Sequence, residues 1–369
     1  QSRLMTVSAK QWLQRIHDLP HKEKVKIMNV CGGHERSITM AGLRKALPDY
    51  IELVPGPGCP VCICPEEDVF AAIQLAFNED IILLAFGYML RVPLNVNKAK
   101  ARTLQQAKAQ VTDIRPIASP TEAVSIAKAN ADKSVVFFAA GFETTTAPVA
   151  AMLVEGVPDN LSVLLSGRLT WPAVAMLLES GTPGFDALIA PGHVSTIMGP
   201  EEWDFVVEQH HIPAAVAGFK PESLLAAMYS VLRQLNEERY FLDNCYSELV
   251  KPGGNKSAQS HLAKAMNVYD ANWRGIGIIP ASGYMLDTAY SDHDARKLFP
   301  ASTDDPCKRA EKMPPGCDCA QVVLGKIYPN ECKLFGKACL PRNPVGPCMV
   351  SDEGACRIWW AGGMRESAQ

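Results

Sequence analysis

The 369-residue sequence lacks an apolar run long enough to cross a bilayer and lacks a large excess of charge of either sign. Its longest apolar run, residues 81–90, is far shorter than the roughly 20 residues of a transmembrane helix. The 36 Lys and Arg residues and the 39 Asp and Glu residues leave a net charge of −3. That balance gives no electrostatic reason to bind nucleic acid or an anionic membrane, and we expect neither as a partner.

The sequence also lacks the common nucleotide-binding and radical-chemistry motifs. "KPGGNKS" does not have the spacing of a phosphate-binding loop, and "GIGIIP" has no third glycine. No C-x3-C-x2-C of a radical SAM enzyme is present. No secretory signal peptide is visible either, so we expect a cytoplasmic protein.

What the sequence has in unusual number is cysteine. Twelve cysteines are distributed unevenly: four between residues 31 and 64, one at Cys245, and seven between residues 307 and 356. In a reducing cytosol, clustered cysteines more often bind metal or do redox chemistry than form structural disulfides. The split therefore predicts two separate functions for the two groups.

Six short apolar runs are typical of buried strands and alternate with helical patterns. They lie at residues 25–30, 81–86, 134–140, 161–166, 185–190 and 214–218. This alternation predicts an α/β fold with parallel sheets. Four of the predicted strands end in glycine-containing loops, "NVCGGHE", "AFGYMLRVP", "AAGFETTTAP" and "IAPGHVST". Because ligands bind at the carboxyl ends of parallel strands, we expect these loops to share a cleft.

Cys59 and Cys62 form a C-x2-C turn in "GPGCPVC", just ahead of an acidic helix start. Two readings are open: a reversible dithiol, or a zinc half-site or inert turn. A position before a helix N-terminus lowers the pKa of a thiol and favours the dithiol, while the nearby carboxylates oppose that shift. Cys64 is a third candidate that the spacing does not exclude.

Cys31 and His34 follow a predicted strand in "CGGHE". A thiolate beside an imidazole suits an activated nucleophile or a soft metal site, but a buried strand cysteine with a capping histidine fits equally well. His193 in "PGHVST" also fits a simple turn, and Glu143 in "GFETTT" also fits a helix cap.

The Pro-, Gly- and Cys-rich C-terminal segment cannot bury enough apolar surface to fold unaided, so a metal centre is expected there. Four of its cysteines have intervals of twelve, six and sixteen residues: Cys319, Cys332, Cys339 and Cys356. These intervals match neither common ferredoxin patterns nor a zinc ribbon. Spacing alone leaves iron–sulfur and zinc open, with Cys307, Cys317 and Cys348 as alternates or bystanders.

Taken together and in order, these motifs closely resemble the hydrogenase maturation family HypD. They are "CGGHE", "GPGCPVC", "GFETT", "PGHVS", "WRGIGIIPASG", C-x12-C-x6-C and "MVSDEGAC", and the resemblance runs from about residue 25 to residue 360. It implies two α/β domains around a central cleft and a small C-terminal segment that holds a 4Fe–4S cluster. With the turn at "KPGGNKS" as a boundary, we expect domains at residues 1–120, 121–250 and 251–369.

The resemblance also implies a function. Family members are scaffolds on which the Fe(CN)2(CO) group of nickel–iron hydrogenases is built, together with the chaperone HypC and with cyanide delivered by HypE after loading by HypF. Cys31 would share the iron with a cysteine of the partner, and His34 would line that site. Cys59 and Cys62 would be the redox pair. Glu143 and His193 would belong to the cleft, and the protein alone would be a monomer.

The same resemblance implies that Cys319, Cys332, Cys339 and Cys356 are the cluster ligands, which favours iron–sulfur over zinc.

The sequence departs from the family pattern at Tyr88 and Leu94, which line the expected cleft, and also at Arg36. A divergent member with another client is therefore one alternative. A stand-alone thiol–disulfide oxidoreductase that uses Cys59 and Cys62 is another, although it would leave Cys31 and the C-terminal cysteines unexplained.

Overall fold

The computed structural model describes residues 7–21, 23–95, 100–110, 112–303 and 313–363; Cys307 lies outside these ranges. Eleven strands are present within them. They are β1 (Val25–Asn29), β2 (Ile51–Pro55), β3 (Ile81–Phe86), β4 (Asp113–Ile117), β5 (Ser134–Gly141), β6 (Leu161–Arg168), β7 (Ala187–Pro191), β8 (Ala214–Ala217), β9 (Leu242–Asn244), β10 (Met266–Trp273) and β11 (Gly277–Leu286).

The helices connect and cover these strands. They are α1 (Ala9–His17), α2 (Gly32–Met40), α3 (Leu43–Ala46), α4 (Pro60–Ile63), α5 (Glu66–Asn78), α6 (Leu104–Lys108), α7 (Pro120–Ala129), α8 (Glu143–Glu155), α9 (Trp171–Glu179), α10 (Gly192–Met198), α11 (Asp204–Glu208), α12 (Pro221–Glu237), α13 (Lys256–Ala265), α14 (Ala295–Leu298), α15 (Pro300–Thr303), α16 (Cys319–Val323) and α17 (Ala355–Ala361). Short 3-10 helices lie at Gly87–Arg91, Pro200–Trp203, Thr288–His293, Pro329–Glu331 and Pro347–Met349.

Two sheets organise the chain, and the predicted α/β class is confirmed. One sheet is parallel throughout, in the order β2-β1-β7-β8-β9. The other has the order β10-β11-β6-β5-β3-β4, in which β11 runs antiparallel to both of its neighbours, β10 and β6, while β6, β5, β3 and β4 are parallel. Each sheet takes strands from both sides of residue 120, and the domain boundaries at residues 120 and 250 stay predictions.

The parallel strands are buried on both faces, which is why they read as continuous apolar runs. All six residues of β3 and all eight of β6 are buried. The C-terminal cysteine-rich segment contributes Val322, Cys348 and Trp359 to the same core cluster as these strands, so it is packed on the α/β body. No helix in the described ranges combines the length and apolar character of a transmembrane segment.

Candidate functional site

The site lies at the carboxyl ends of the adjacent parallel strands β1 and β2. Cys31 follows β1 and precedes α2, and Cys59 follows β2 and precedes α4. The two loops are tied together by the Gly32 N–H, which donates to the Gly58 oxygen at 3.2 Å. A Cβ atom at Gly58 would lie 2.5 Å from the backbone nitrogen of Cys31. Glycine there allows the loops to approach this closely.

Cys31 is half-buried as a residue, but its sulfur is enclosed. Burial is the main reason that the pKa of this thiol is raised to about 12, and the charge of Glu353 adds to the rise. Backbone N–H groups of His34 and Gly33, at the start of α2, oppose it by donating to the sulfur. The thiol therefore keeps its proton at neutral pH.

His34 lies fully buried behind Cys31 and is neutral at pH 7. Its Nε2 donates to the Ala217 oxygen at 2.8 Å, and its Nδ1 has no hydrogen-bond partner among the described residues. Burial lowers the pKa of the ring to about 4. The ring of Phe219 lies 4.8 Å from that of His34 and 4.0 Å from that of His193. Phe219 therefore lies against both predicted histidines, and the charge of His193 also acts on His34.

Cys59 and Cys62 form a disulfide, with their Cα atoms 5.3 Å apart. Both residues are buried. Cys59 is also the N-cap residue of α4, since its sulfur accepts from the Cys62 N–H at 3.2 Å. Cys64 is separate from this pair: its sulfur lies 3.5 Å from the Ser166 Oγ, and burial raises its pKa to about 12.

The C-terminal cysteines converge beside the disulfide. The sulfurs of Cys319, Cys348 and Cys356 lie within 4.8 Å of one another, and all three residues are buried. Hydrogen bonds from Cys319 and then Cys356 lower the pKa of Cys348 to about 5. The triad includes Cys348, which the spacing argument left as an alternate.

Cys332 and Cys339 lie outside this triad. The pKa of each is raised mainly by burial, with a further contribution from Cys317, and for Cys339 also from Cys319. Cys317 has a raised pKa because it is hydrogen-bonded to Cys319. The structure thus gathers six cysteines in one region without singling out the predicted four.

This region fits a metal cluster. A Cβ atom at Gly346 would lie 2.5 Å from the sulfurs of both Cys317 and Cys319. The backbone of Gly346 therefore packs directly against the two thiols. Buried thiolates shielded by close backbone are the ligand set that iron–sulfur clusters use. The triad Cys319, Cys348 and Cys356 has the spacing to hold a metal ion or cluster, and the ligand set Cys319, Cys332, Cys339 and Cys356 stays a prediction.

One narrow cavity joins the three sulfur groups. Its walls include Cys31, Cys59 and Cys348, together with Glu35 and Glu353. Glu143 does not line it: the Glu143 carboxylate accepts from the Thr170 N–H at 2.8 Å and from the Thr170 Oγ1 at 2.7 Å. The disulfide and the triad are connected because α4 packs against the 3-10 helix Pro347–Met349 and against α16.

Glu35 and Glu353 are site residues that the sequence reasoning missed. Glu35 accepts from Asn29 at 2.6 Å and from the Trp359 indole at 3.0 Å, and it pairs with Arg44. The pKa of Glu353 is raised by burial, and the Arg36 charge opposes that rise. Both acids lie inside quoted motifs, "CGGHE" and "MVSDEGAC", which was the available signal.

Arg274, from "WRGIGIIPASG", was also missed. It is buried; its Nη2 donates to the Pro93 oxygen at 2.7 Å and its backbone N–H to the Ile63 oxygen at 3.0 Å. Its Nε and Nη1 have no hydrogen-bond partner among the described residues. Its charge acts on both Cys64 and Cys317, which places a buried cation between the disulfide loop and the C-terminal cysteines.

The three residues expected to depart from the family pattern lie in different places. Tyr88 is partly exposed and stacks on Phe86 at 5.5 Å, and Glu353 and Cys64 add to the burial that raises the pKa of its hydroxyl. Leu94 is buried and is held by a hydrogen bond from its N–H to the Arg102 oxygen at 2.7 Å. Arg36 lines a surface groove with Asp352 and Met40.

Comparisons with known proteins give the same family. A family model labelled HypD and described as "Hydrogenase formation hypA family" matches residues 7–363. The chain is 38% identical over 355 residues to the hydrogenase maturation factor HypD2 of Bradyrhizobium diazoefficiens, covering 93% of this chain and 90% of that protein. It is 36% identical over 347 residues to HypD of Escherichia coli, covering 93% and 90%. The chain therefore belongs to the HypD family of hydrogenase maturation factors.

Proposed function

We propose that this protein is a scaffold on which the Fe(CN)2(CO) group of a nickel–iron hydrogenase is assembled. In this proposal Cys31 shares the iron with a cysteine of a HypC-type chaperone, and a HypE-type partner, loaded by HypF, delivers cyanide. A 4Fe–4S cluster supplies electrons through the Cys59–Cys62 pair, which the cluster reduces from disulfide to dithiol. The protein works in the cytoplasm, is a monomer by itself and is an assembly scaffold rather than a conventional enzyme.

The observation that carries the proposal is the cavity shared by Cys31, Cys59 and Cys348. A thiol for the iron, a redox pair and a cysteine of the proposed cluster region face one small space. Cysteines with unrelated structural roles have no physical reason to line the same cavity, whereas an electron relay requires its sulfur groups to lie close together.

Cys31 is suited to hold iron that carries strong-field ligands. Thiolate is a soft donor, and the N–H groups of Gly33 and His34 are already oriented toward the sulfur. Because enclosure keeps the thiol protonated, iron binding must release its proton. The neutral His34 contributes no charge that would repel the incoming cation.

The disulfide is suited to accept electrons rather than to exchange with other proteins. Its reduction takes two electrons and two protons and yields the thiols of Cys59 and Cys62. When bound, a 4Fe–4S cluster supplies electrons one at a time. The fold of this chain keeps the disulfide close to the proposed cluster region, since α4 contacts the turn that contains Cys348.

Burial of the disulfide argues against a stand-alone oxidoreductase. Cys59 is 5% exposed and Cys62 is 2% exposed, while thiol–disulfide exchange requires that an attacking thiolate reach one sulfur. A macromolecular substrate has no such access here.

The test is an infrared spectrum of the protein purified without oxygen together with its HypC-type partner. We expect cyanide and carbon monoxide stretches that vanish in Cys31→Ala. A complex that contains an intact cluster and bound partner, but shows no such stretches, would contradict the proposal.

A further inference from the structure

A second, open pocket lies on the outer side of the cysteine-rich region. It is formed by the 3-10 helix Gly87–Arg91, the start of α6 and the loop 342–345. Three arginines from these separate segments line it: Arg91, Arg102 and Arg342.

The pocket is strongly positive on a protein that is negative overall. The described residues 81–95 and 100–110 contain four Lys and Arg and no Asp or Glu, and residues 332–345 contain three Lys and Arg and no Asp or Glu. The guanidinium groups of Arg91 and Arg102 donate to backbone oxygens of Pro341 and Leu94. Within the described ranges, none of the three lining arginines is paired with a carboxylate.

The pocket wall is in direct contact with a cysteine of the proposed cluster. Val345 lines the pocket, and its backbone N–H donates to the Cys339 sulfur at 3.3 Å. A redox partner seated over the arginines would therefore be separated from that sulfur by little more than one peptide group.

We propose that this pocket, which we call the arginine pocket, docks the acidic face of a small one-electron carrier protein, such as an iron–sulfur or flavin protein. The inference rests on the proposed function, because it identifies where electrons for the cluster enter. The reduced carrier transfers one electron to the cluster, so the carrier is oxidised and the cluster is reduced. No bond forms or breaks.

A protein fits this surface better than a small anion. Arg102 and Arg342 are exposed and belong to different segments, whereas a small-anion site needs enclosed donors that converge on one point. Exposed charges of one sign steer a large charged partner and raise its association rate.

The experiment uses the full-length holoprotein and a reduced plant-type 2Fe–2S ferredoxin as the acidic probe. Stopped-flow absorbance at low salt measures the second-order rate of cluster reduction. We expect about a tenfold or larger decrease in that rate for the double variant Arg102→Glu with Arg342→Glu, and a weaker salt dependence. Photoreduced deazaflavin, which needs no docking, should reduce the cluster of both proteins at one rate.

Lys264→Glu is the matched control, because Lys264 is exposed on α13, which packs against α8 and contributes nothing to the arginine pocket. It should retain the wild-type rate. An unchanged rate in the double variant, or no reduction of wild-type protein by ferredoxin, would overturn the inference. So would binding of inorganic phosphate at the pocket with ferredoxin reduction unaffected by the arginines. A wild-type protein that assembles no cluster would instead refute the proposed function.

Discussion

A Cβ atom on Gly32 would lie 2.5 Å from the Cβ of Glu353 and 2.5 Å from its backbone oxygen. The first turn of α2 and the loop before α17 therefore approach each other so closely that position 32 has no room for a side chain. This contact fixes the carboxylate of Glu353 beside Cys31, although the two residues are far apart in the sequence.

Gly32→Ala should displace the Glu353 loop. We expect a loss of about 2 kcal/mol in the free energy of unfolding, the usual scale for an overpacked contact, measured by chemical denaturation. The iron-group stretches should also weaken, because Cys31 and Glu353 separate. Gly87→Ala is the control, since a Cβ there meets nothing within 4 Å; equal losses in both variants would contradict the argument.

Removal of the disulfide should stop assembly at Cys31. In Cys59→Ala with Cys62→Ala, we expect infrared bands as weak as those of Cys31→Ala, because the electron relay is cut. Cys64→Ser removes a thiol from the same loop but not from the pair, and it should keep the bands. A double variant that assembles the iron group normally would show that the relay does not exist.

The cluster ligands can be tested by iron content. We expect Cys332→Ala and Cys339→Ala to lose most of the iron and acid-labile sulfide, because each removes a predicted thiolate ligand of the proposed cluster. Cys245→Ala, a cysteine outside the C-terminal group, should retain both. Full iron content in Cys332→Ala or Cys339→Ala would show that the substituted cysteine is not a ligand and would favour Cys317 or Cys348 in its place.

Arg274→Met should lower the reduction potential of the cluster. A nearby buried cation stabilises the reduced, more negative state, so its removal should shift the potential down by several tens of millivolts. Redox titration followed by electron paramagnetic resonance measures this shift. Arg274→Lys keeps the charge and should stay near the wild-type potential; an equal shift in both variants would point to altered packing instead.

Glu202 should make stability depend on pH. Burial, reinforced by the charge of Glu143, raises the pKa of Glu202 well above its usual value, and its Oε2 has no partner among the described residues. The folded state therefore holds a proton that the unfolded state has released, so stability is lost as pH rises above about 4.5.

Glu202→Gln removes this ionisation. We expect a gain of about 1 kcal/mol in the free energy of unfolding at pH 8 and a much smaller gain at pH 4.5, measured by urea denaturation at both values. Glu248→Gln, at an exposed position between β9 and α13, should change neither. A gain that is the same at both pH values would mean that the carboxyl is ionised in the folded protein.

The central strands were predictable because they are buried on both faces and read as apolar runs; β3 and β5 are examples. The strands β10 and β11 were not predicted, since they alternate and expose large side chains. Val268 is 51% exposed and Ile278 is 66% exposed. Such half-exposed strands give a weak pattern without knowledge of the sheet that they extend.

The candidate site was predictable only where a motif coincides with a strand end or with a C-x2-C turn. Cys31 met the first condition at the end of β1. Cys59 was predicted from its C-x2-C turn alone, and its proximity to Cys31 follows from the parallel pairing of β1 with β2, a strand that the apolar runs did not include. Cys348, Glu353 and Arg274 met neither condition, because each reaches the site by packing between segments distant in sequence. Residue spacing contains no information about such packing.

The pairing of β1 with β7 has a consequence for biosynthesis. Residues 25–29 emerge from the ribosome long before their partners at residues 187–191. One edge of β1 therefore has no pairing strand while most of the other sheet is translated. Contacts this distant in sequence slow folding, and an unpaired strand edge is prone to aggregation. Nascent chains that stop before residue 187 are therefore the forms of this protein that most need a chaperone.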